Sequence, residues 1–220
     1  MPGPSARTAH LQAMRRSYER GGLDEADLAA DWLTQFQRWL GDAEAAGITE
    51  PNAMVFGTAD AEGRPSARTV LLKGLDARGL TLYTNLGSRK GREALANPAA
   101  SLVFPWVDLQ RQVVVAGDVE LTGDADSDDY FARRPRGSQL GAAASPQSQV
   151  IPDRDRLTTA RAALETRYPE GTPVPRPEHW GGLRVVPRTV EFWQGRPDRL
   201  HDRLRYRRDG ERWVVERLAP

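Results

Sequence analysis

From Asn52 onward the chain breaks into short β-like runs punctuated by turn residues, and this rhythm limits the fold more than any other feature. Residues 54–59, 66–73 and 80–85 are such runs, separated by Asp60-Ala61-Glu62-Gly63 and Asp76-Ala77-Arg78-Gly79. They read as an antiparallel meander. Two further strands are predicted at 100–106 and 111–121, the second long enough to bend around a barrel. Three closing strands follow at 183–193, 200–207 and 211–218, the last pair joined at Asp209-Gly210. About eight strands interrupted by short helices favour a mainly β fold with flanking helices, an antiparallel barrel rather than a parallel α/β sheet.

The apolar period turns helical over 31–46, where Trp32, Leu33, Phe36, Trp39 and Leu40 share a stripe and Gly47 is the stop. Ser88 is the expected N-cap of a short helix over 88–96, closed by Asn97-Pro98. Further helices are expected at 124–133 and 153–168, with a Gly/Ala/Ser segment over 137–149 between them. Pro173, Pro175 and Pro177 make a stiff extended connector. Residues 1–8 are small, polar and Pro/Gly-containing and are expected to be disordered, and 10–20 read as helical or irregular.

Composition narrows the chemistry. A chain of 220 residues, 39% apolar and with six Trp, can bury a sizeable core as one domain. The absence of cysteine excludes disulfides, a thiol nucleophile and Cys-ligated metal, and three scattered His make an all-protein zinc site a poor reading. Redox chemistry here would require an organic cofactor. Lys and Arg number 31 against 30 Asp and Glu, so the positive excess of a nucleic-acid binder is missing. No apolar run approaches a bilayer span and residues 1–10 lack the apolar stretch of a secretory signal, so a cytoplasmic location is expected. Nearly all cations are Arg; only Lys73 and Lys90 are lysines, which suits sites that need a compact ammonium.

Three constellations carry candidate chemistry. The first joins Arg68-Thr69-Val70-Leu71-Leu72-Lys73 with Tyr83-Thr84-Asn85 and Ser88-Arg89-Lys90: hydroxyls and cations on neighbouring β segments, and a helix N-terminus that favours an anion. Strand parity sets Arg68 and Lys73 on opposite faces, and the apolar run 70–72 implies burial on both, as at a subunit interface. The second runs from Tyr130 through Arg133, Arg134, Pro135, Arg136, Gly137, Ser138 and Gln139, followed by Gln147-Ser148. Cations and a hydroxyl in a Gly-containing turn can form a second anion pocket, although arginines at a helix C-terminus also serve simply as dipole complement. The third is Glu191-Phe192-Trp193-Gln194-Gly195, then Arg199-Leu200-His201-Asp202-Arg203. Alternation sets Arg199, His201 and Arg203 on one strand face, where the arginines oppose protonation of His201.

These segments, with Arg111-Gln112, resemble the pyridoxamine 5'-phosphate oxidase family in order and spacing, over about residues 14–220. The resemblance implies an FMN-binding split β-barrel, antiparallel and Greek-key-like, as a single domain over 21–220, forming a homodimer with FMN at the subunit interface. Carried over position by position, FMN is expected at Arg68, Thr69, Val70, Leu71, Leu72, Lys73, Tyr83, Thr84, Arg89, Lys90, Gln112, Gln147, Ser148, Trp193 and Arg203. Lys73, Tyr130, Arg134 and Ser138 are expected at the substrate phosphate, and Arg199 and His201 against its ring as the catalytic pair. Arg15 and Tyr18 match substrate positions in an N-terminal segment, 1–20, that can close as a lid. Two departures from the family pattern stand near Gln147: Ala143 where a bulky aromatic is frequent, and Pro146 where a polar residue is usual.

The implied reaction oxidises pyridoxamine or pyridoxine 5'-phosphate to pyridoxal 5'-phosphate, with O2 as acceptor and hydrogen peroxide as product. Two alternatives share the barrel: a sister flavin oxidase of the phenazine type, and a non-catalytic flavin- or pyridoxal-phosphate-binding protein. Lys73 with Arg134 and Ser138 argues against the first, and Arg199 with His201 against the second.

Overall fold

A computed structural model describes residues 4–14 and 16–220, and of residues 4–6 only the backbone. Nine strands are described: β1 (Ala53–Ala59), β2 (Pro65–Leu71), β3 (Gly74–Asp76), β4 (Gly79–Asn85), β5 (Ala99–Trp106), β6 (Arg111–Leu121), β7 (Trp180–Gln194), β8 (Asp202–Asp209) and β9 (Arg212–Arg217). They form one sheet in the order β2-β1-β5-β6-β7-β4-β3, with β8 pairing both β7 and β9. The pairings β1–β2, β1–β5, β3–β4, β4–β7 and β8–β9 are antiparallel, and among the described residues the two ends of the path, β2 and β3, do not pair with each other. The helices are α1 (Pro4–Ala13), α2 (Trp32–Ala45), α3 (Arg89–Ala96), α4 (Asp124–Arg133), α5 (Arg136–Ala144) and α6 (Asp155–Arg167). No described helix is long and apolar enough to cross a membrane.

Two compact units emerge. One comprises Met1–Ile48, Pro105–Val113 and Glu191–Pro220, the other Thr49–Phe104 and Val114–Val190. In the first, Asp31 caps α2 by accepting the Thr34 N–H at 2.8 Å, and the helix buries Trp32, Phe36, Trp39 and Ala43. Trp39 meets Phe192 edge-on at 5.2 Å, and Phe192 meets Tyr206 at 5.8 Å. Arg111 lies 4.4 Å from the Trp39 ring and is pinned by Asp42 at 2.6 Å and Gln194 at 2.9 Å. In the second unit, β1 and β4 bury alternate or consecutive apolar residues, among them Met54, Phe56, Leu80 and Leu82. A satellite core of Phe131, Leu140, Val174 and Trp180 sits where α4 and α5 meet the start of β7.

The expected meander is not what forms. β2 pairs only with β1, while β4 pairs with β3 and with β7, so the first three predicted strands are not consecutive neighbours. The short hairpin β3–β4, unread in the sequence because three residues carry no periodicity, redirects the chain after Leu72. β2 stops at Leu71, so strand parity does not govern Lys73, and Val70 and Leu71 are half-buried rather than enclosed on both faces. Helix α5 occupies much of the Gly/Ala/Ser segment, and α1 begins at Pro4, among residues expected to lack order, and runs into the stretch from 10 read as helical or irregular.

Candidate active site

Three cations of the first constellation, Arg68, Arg89 and Lys90, gather around α3 rather than through strand adjacency. Ser88 Oγ accepts the Gly91 N–H at 3.3 Å and fixes the helix start; a Cβ at Gly91 would collide with the Leu86 carbonyl, so only glycine lets this turn lie so close. Lys90 in that first turn donates through Nζ to Gln147 Oε1 at 3.0 Å, Thr84 Oγ1 at 3.2 Å and Ser88 Oγ at 3.3 Å. Burial, then the nearby Arg68 charge, lowers the Lys90 pKa, and no carboxylate pairs with it among the described residues. Arg68 donates to Phe56 O at 2.9 Å, to Thr58 Oγ1 at 2.6 Å and to Ser66 Oγ, and burial lowers its pKa despite Glu93. Thr69 is exposed beside them on β2, Leu72 is buried, and Lys73 is exposed with its backbone N–H on Thr81 O. Arg89 is exposed and paired with Glu93.

The second constellation is a cavity of about 400 Å³ lined by Tyr83, Thr84, Arg134, Ser138, Gln147 and Trp180, among others. Tyr83 and Tyr130 stack at 4.1 Å, and Tyr83 and Trp180 at 5.5 Å, nearly parallel. Burial raises both tyrosine pKa values. Arg134 caps α4 with its guanidinium 4.8 Å from the Trp180 ring. Its Nη1 is buried with no hydrogen-bond partner, and burial lowers its pKa. Ser138 follows in the first turn of α5. The neighbouring arginines are engaged elsewhere: Arg133 pairs with Asp129, and Arg136 donates to the carbonyls of Tyr168, Pro169 and Thr172. Lys73 does not line this cavity. Gln147 and Ser148 lie in the loop after α5, Ser148 with a left-handed φ of 71°.

The third constellation forms a cavity of about 550 Å³ in the first unit, lined by Tyr18, Trp193, Arg196, Arg199 and His201, among others. The Tyr18 ring meets Trp193 and His201 at 5.8 Å each, and a Cβ on Gly195 would come within 2.7 Å of Tyr18. Trp193 and His201 lie 4.6 Å apart. The single-strand expectation for Arg199, His201 and Arg203 does not hold. Pro197 opens a 3-10 turn ending at Arg199, with left-handed φ at Asp198 and Arg199, so β8 begins only at Asp202. His201 Nδ1 accepts the Arg196 N–H at 3.1 Å, which leaves the neutral imidazole proton on Nε2. Arg203 lies on β8 and is bound to Glu191 at 2.8 and 3.1 Å and to Ala219 O. Gln112 is half-buried on β6. Arg15 lies outside the described residues.

Comparison with known proteins puts these groups in a family. Residues 40–177 match the family model described as pyridoxamine 5'-phosphate oxidase, and residues 180–220 the model described as pyridoxine 5'-phosphate oxidase C-terminal dimerisation region. The chain belongs to the pyridoxamine 5'-phosphate oxidase family. It is an oxidoreductase, and FMN is the cofactor that goes with this family. Relatives named pyridoxine/pyridoxamine 5'-phosphate oxidase include one from Frankia alni, 60% identical over 94% of this chain and 87% of its own length. Another, from Salinispora arenicola, is 62% identical over 90% of each. Among solved structures, PhzG from Burkholderia lata, in complex with tetrahydrophenazine-1-carboxylic acid, is 34% identical with a TM-score of 0.84, covering 90% of this chain and 98% of that one. A pyridoxamine 5'-phosphate oxidase-related, FMN binding protein from Nostoc punctiforme shares the split-barrel fold at 17% identity and TM-score 0.71, covering 88% and 100%.

The residues present fit the phosphate end of FMN. A half-buried ammonium held only by neutral oxygens, beside Arg68 and at a helix N-terminus, is chemically suited to a phosphomonoester. Sequence reasoning missed three contributors: Trp180, which the aromatic stack and Arg134 share, and the Thr58 and Ser66 hydroxyls on Arg68. Hydroxyls on half-buried strands give no sequence signal beyond β propensity.

Proposed function

We propose that the protein oxidises pyridoxamine 5'-phosphate or pyridoxine 5'-phosphate to pyridoxal 5'-phosphate, using FMN and O2 and releasing hydrogen peroxide. With the amine substrate, water also enters and ammonia leaves. The observation that carries this reading is Arg134 Nη1, a buried guanidinium nitrogen without a partner, in a cavity it shares with Ser138 and the Tyr83 ring. Such a group is costly unless an anion completes it. A substrate phosphate does so, and Tyr130, stacked on the Tyr83 ring, is assigned to the same phosphate.

FMN, when bound, supplies the two-electron acceptor that O2 restores. The protein's own contribution is positional. Lys90, Arg68 and Arg89 hold the cofactor phosphate, with Thr84 and Gln147 orienting Lys90. Gripping the substrate at Arg134 and Ser138 turns an encounter into a fixed orientation, worth up to several kcal/mol of barrier. Arg199 and His201 act on the substrate ring. The Arg196 contact supports His201 as an Nε2–H donor that steadies the ring, rather than as a base, because a base at Nε2 would turn an Nδ1–H toward the Arg196 N–H. The segment around Tyr18 serves as a lid; Glu19 and Arg20 N–H groups both donate to Gln110 Oε1, at 2.9 and 3.1 Å, tethering it. We assign the working form as a cytoplasmic homodimer in which each site draws on both subunits, in keeping with the dimerisation-region match.

The PhzG likeness favours one other reading, a sister oxidase acting on a carboxylated ring. Anaerobic addition of pyridoxamine 5'-phosphate to the FMN-loaded protein separates them: loss of the flavin's visible absorbance is expected. No change with this substrate, together with bleaching by a reduced phenazine carboxylate, would reverse the assignment.

A further inference from the structure

Behind the cations assigned to the cofactor lies one carboxylate that no motif pointed to. Glu93, on α3 one turn after Arg89, is only 6% exposed. It accepts Thr58 Oγ1 at 2.5 Å, Arg89 Nε at 2.7 Å, Arg68 Nη2 at 3.4 Å and the Ser66 hydroxyl. Ser66 and Thr58 also receive Arg68, so β1, β2 and α3 are tied through this one group. Burial opposes its ionisation, yet hydrogen bonds from Ser66 and Thr58 and the Arg89 guanidinium outweigh that and hold its pKa at about 2. It is a carboxylate throughout the neutral range.

Three cations this close disfavour one another: Arg89 acts on Arg68, and Arg68 on Lys90. Glu93 answers one of the three charges and leaves two, which matches the roughly −1.5 to −2 of a phosphomonoester near neutral pH. It also fixes where the arginines can point, since Arg89 Nε and Arg68 Nη2 converge on opposite sides of one carboxyl group. We propose that Glu93 is a positioning residue that sets Arg68 and Arg89 side by side and tunes the cluster to the dianionic phosphate end of a flavin mononucleotide. This rests on the assignment of Arg68, Arg89 and Lys90 to the FMN phosphate.

The test compares FMN with riboflavin, which lacks the phosphate, by fluorescence quenching on the flavin-stripped full chain. In Glu93→Gln the Kd for FMN is expected to rise about tenfold, or about 1.4 kcal/mol, while that for riboflavin stays within twofold. Thr58→Val, which removes a donor to Glu93 and an acceptor of Arg68, is expected to move the same ratio about threefold and keeps the test alive if the first variant does not fold. FMN binding that is unchanged or tighter would mean Glu93 merely screens charge. Equal losses for both flavins would mean a purely structural role. Either outcome overturns the inference. A parent protein that binds both flavins equally overturns the phosphate-site assignment itself, and the inference with it.

Discussion

Replacing Arg134 by Met should make the protein more stable and a worse enzyme. Its Nη1 is buried without a partner, a situation worth about 1–3 kcal/mol against the folded state. The guanidinium recovers part of this by lying 4.8 Å from the Trp180 ring, about 0.5–2 kcal/mol. Methionine has a similar reach, carries no charge and returns about 0.3–1.5 kcal/mol as a sulfur–aromatic contact on the same ring. At the midpoints of these ranges the balance favours the variant by about 1.5 kcal/mol, or roughly 3–6 °C in Tm for a chain of this size. On the substrate side a charge-assisted hydrogen bond worth about 1.5–3 kcal/mol disappears, so KM for pyridoxamine 5'-phosphate should rise roughly 10- to 100-fold with kcat at saturation nearly kept. Thermal unfolding of the FMN-loaded protein with and without inorganic phosphate, beside steady-state kinetics, measures both. Phosphate should raise the parent's Tm through this cavity and leave the variant's unmoved. A variant that melts below the parent, or whose KM stays within twofold, refutes the reasoning, because Arg134 would then be a structural cation.

Three further outcomes follow from the same geometry. Lys90→Met should weaken FMN about 10- to 100-fold and riboflavin hardly at all, since one charge-assisted contact to the phosphate is lost; fluorescence titration checks this. Arg111→Met should lower Tm by several degrees while KM is unchanged, because the cation held by Asp42, Gln194 and the Trp39 ring is structural, worth about 1–2 kcal/mol. The Glu93 carboxyl, lowered from its ordinary 4.5 to about 2, contributes stability that is complete above the ordinary value and is lost as pH falls toward 2. The stability gap between the parent and Glu93→Gln should therefore be constant above about pH 5.5 and close below pH 4.5, measured by urea unfolding across that range; a gap that widens on acidification would contradict the assignment.

Most of the β content was legible because period-2 burial writes itself into the sequence. The strand over Arg111–Leu121 and the helix over Asp124–Arg133 lie where the residues predict, and Ser88 caps α3 as expected. Local chemistry also singled out Lys90, Arg134 and His201, since unusual residue types at element ends need no tertiary information to be noticed. The errors lie where pairing is long-range. Nothing local tells β4 to join β7 rather than β2, because the two candidate partners differ in burial, exposed along β2 and enclosed along most of β7, only once the whole sheet has formed. The turn that separates Arg199 from β8 depends on left-handed φ at Asp198 and Arg199, a backbone state that strand alternation does not anticipate.

The sequence alone therefore determined which groups carry charge and which segments extend, since those follow from side-chain chemistry and periodicity. Only the tertiary structure decided which charges are already answered. Arg133, Arg136 and Arg111 read like Arg134 in the sequence, but each finds a carboxylate or carbonyls in the fold, while Arg134 Nη1 does not. The physical reason is that the worth of a charge is set by its burial and its partner, and both come from contacts distant in the chain.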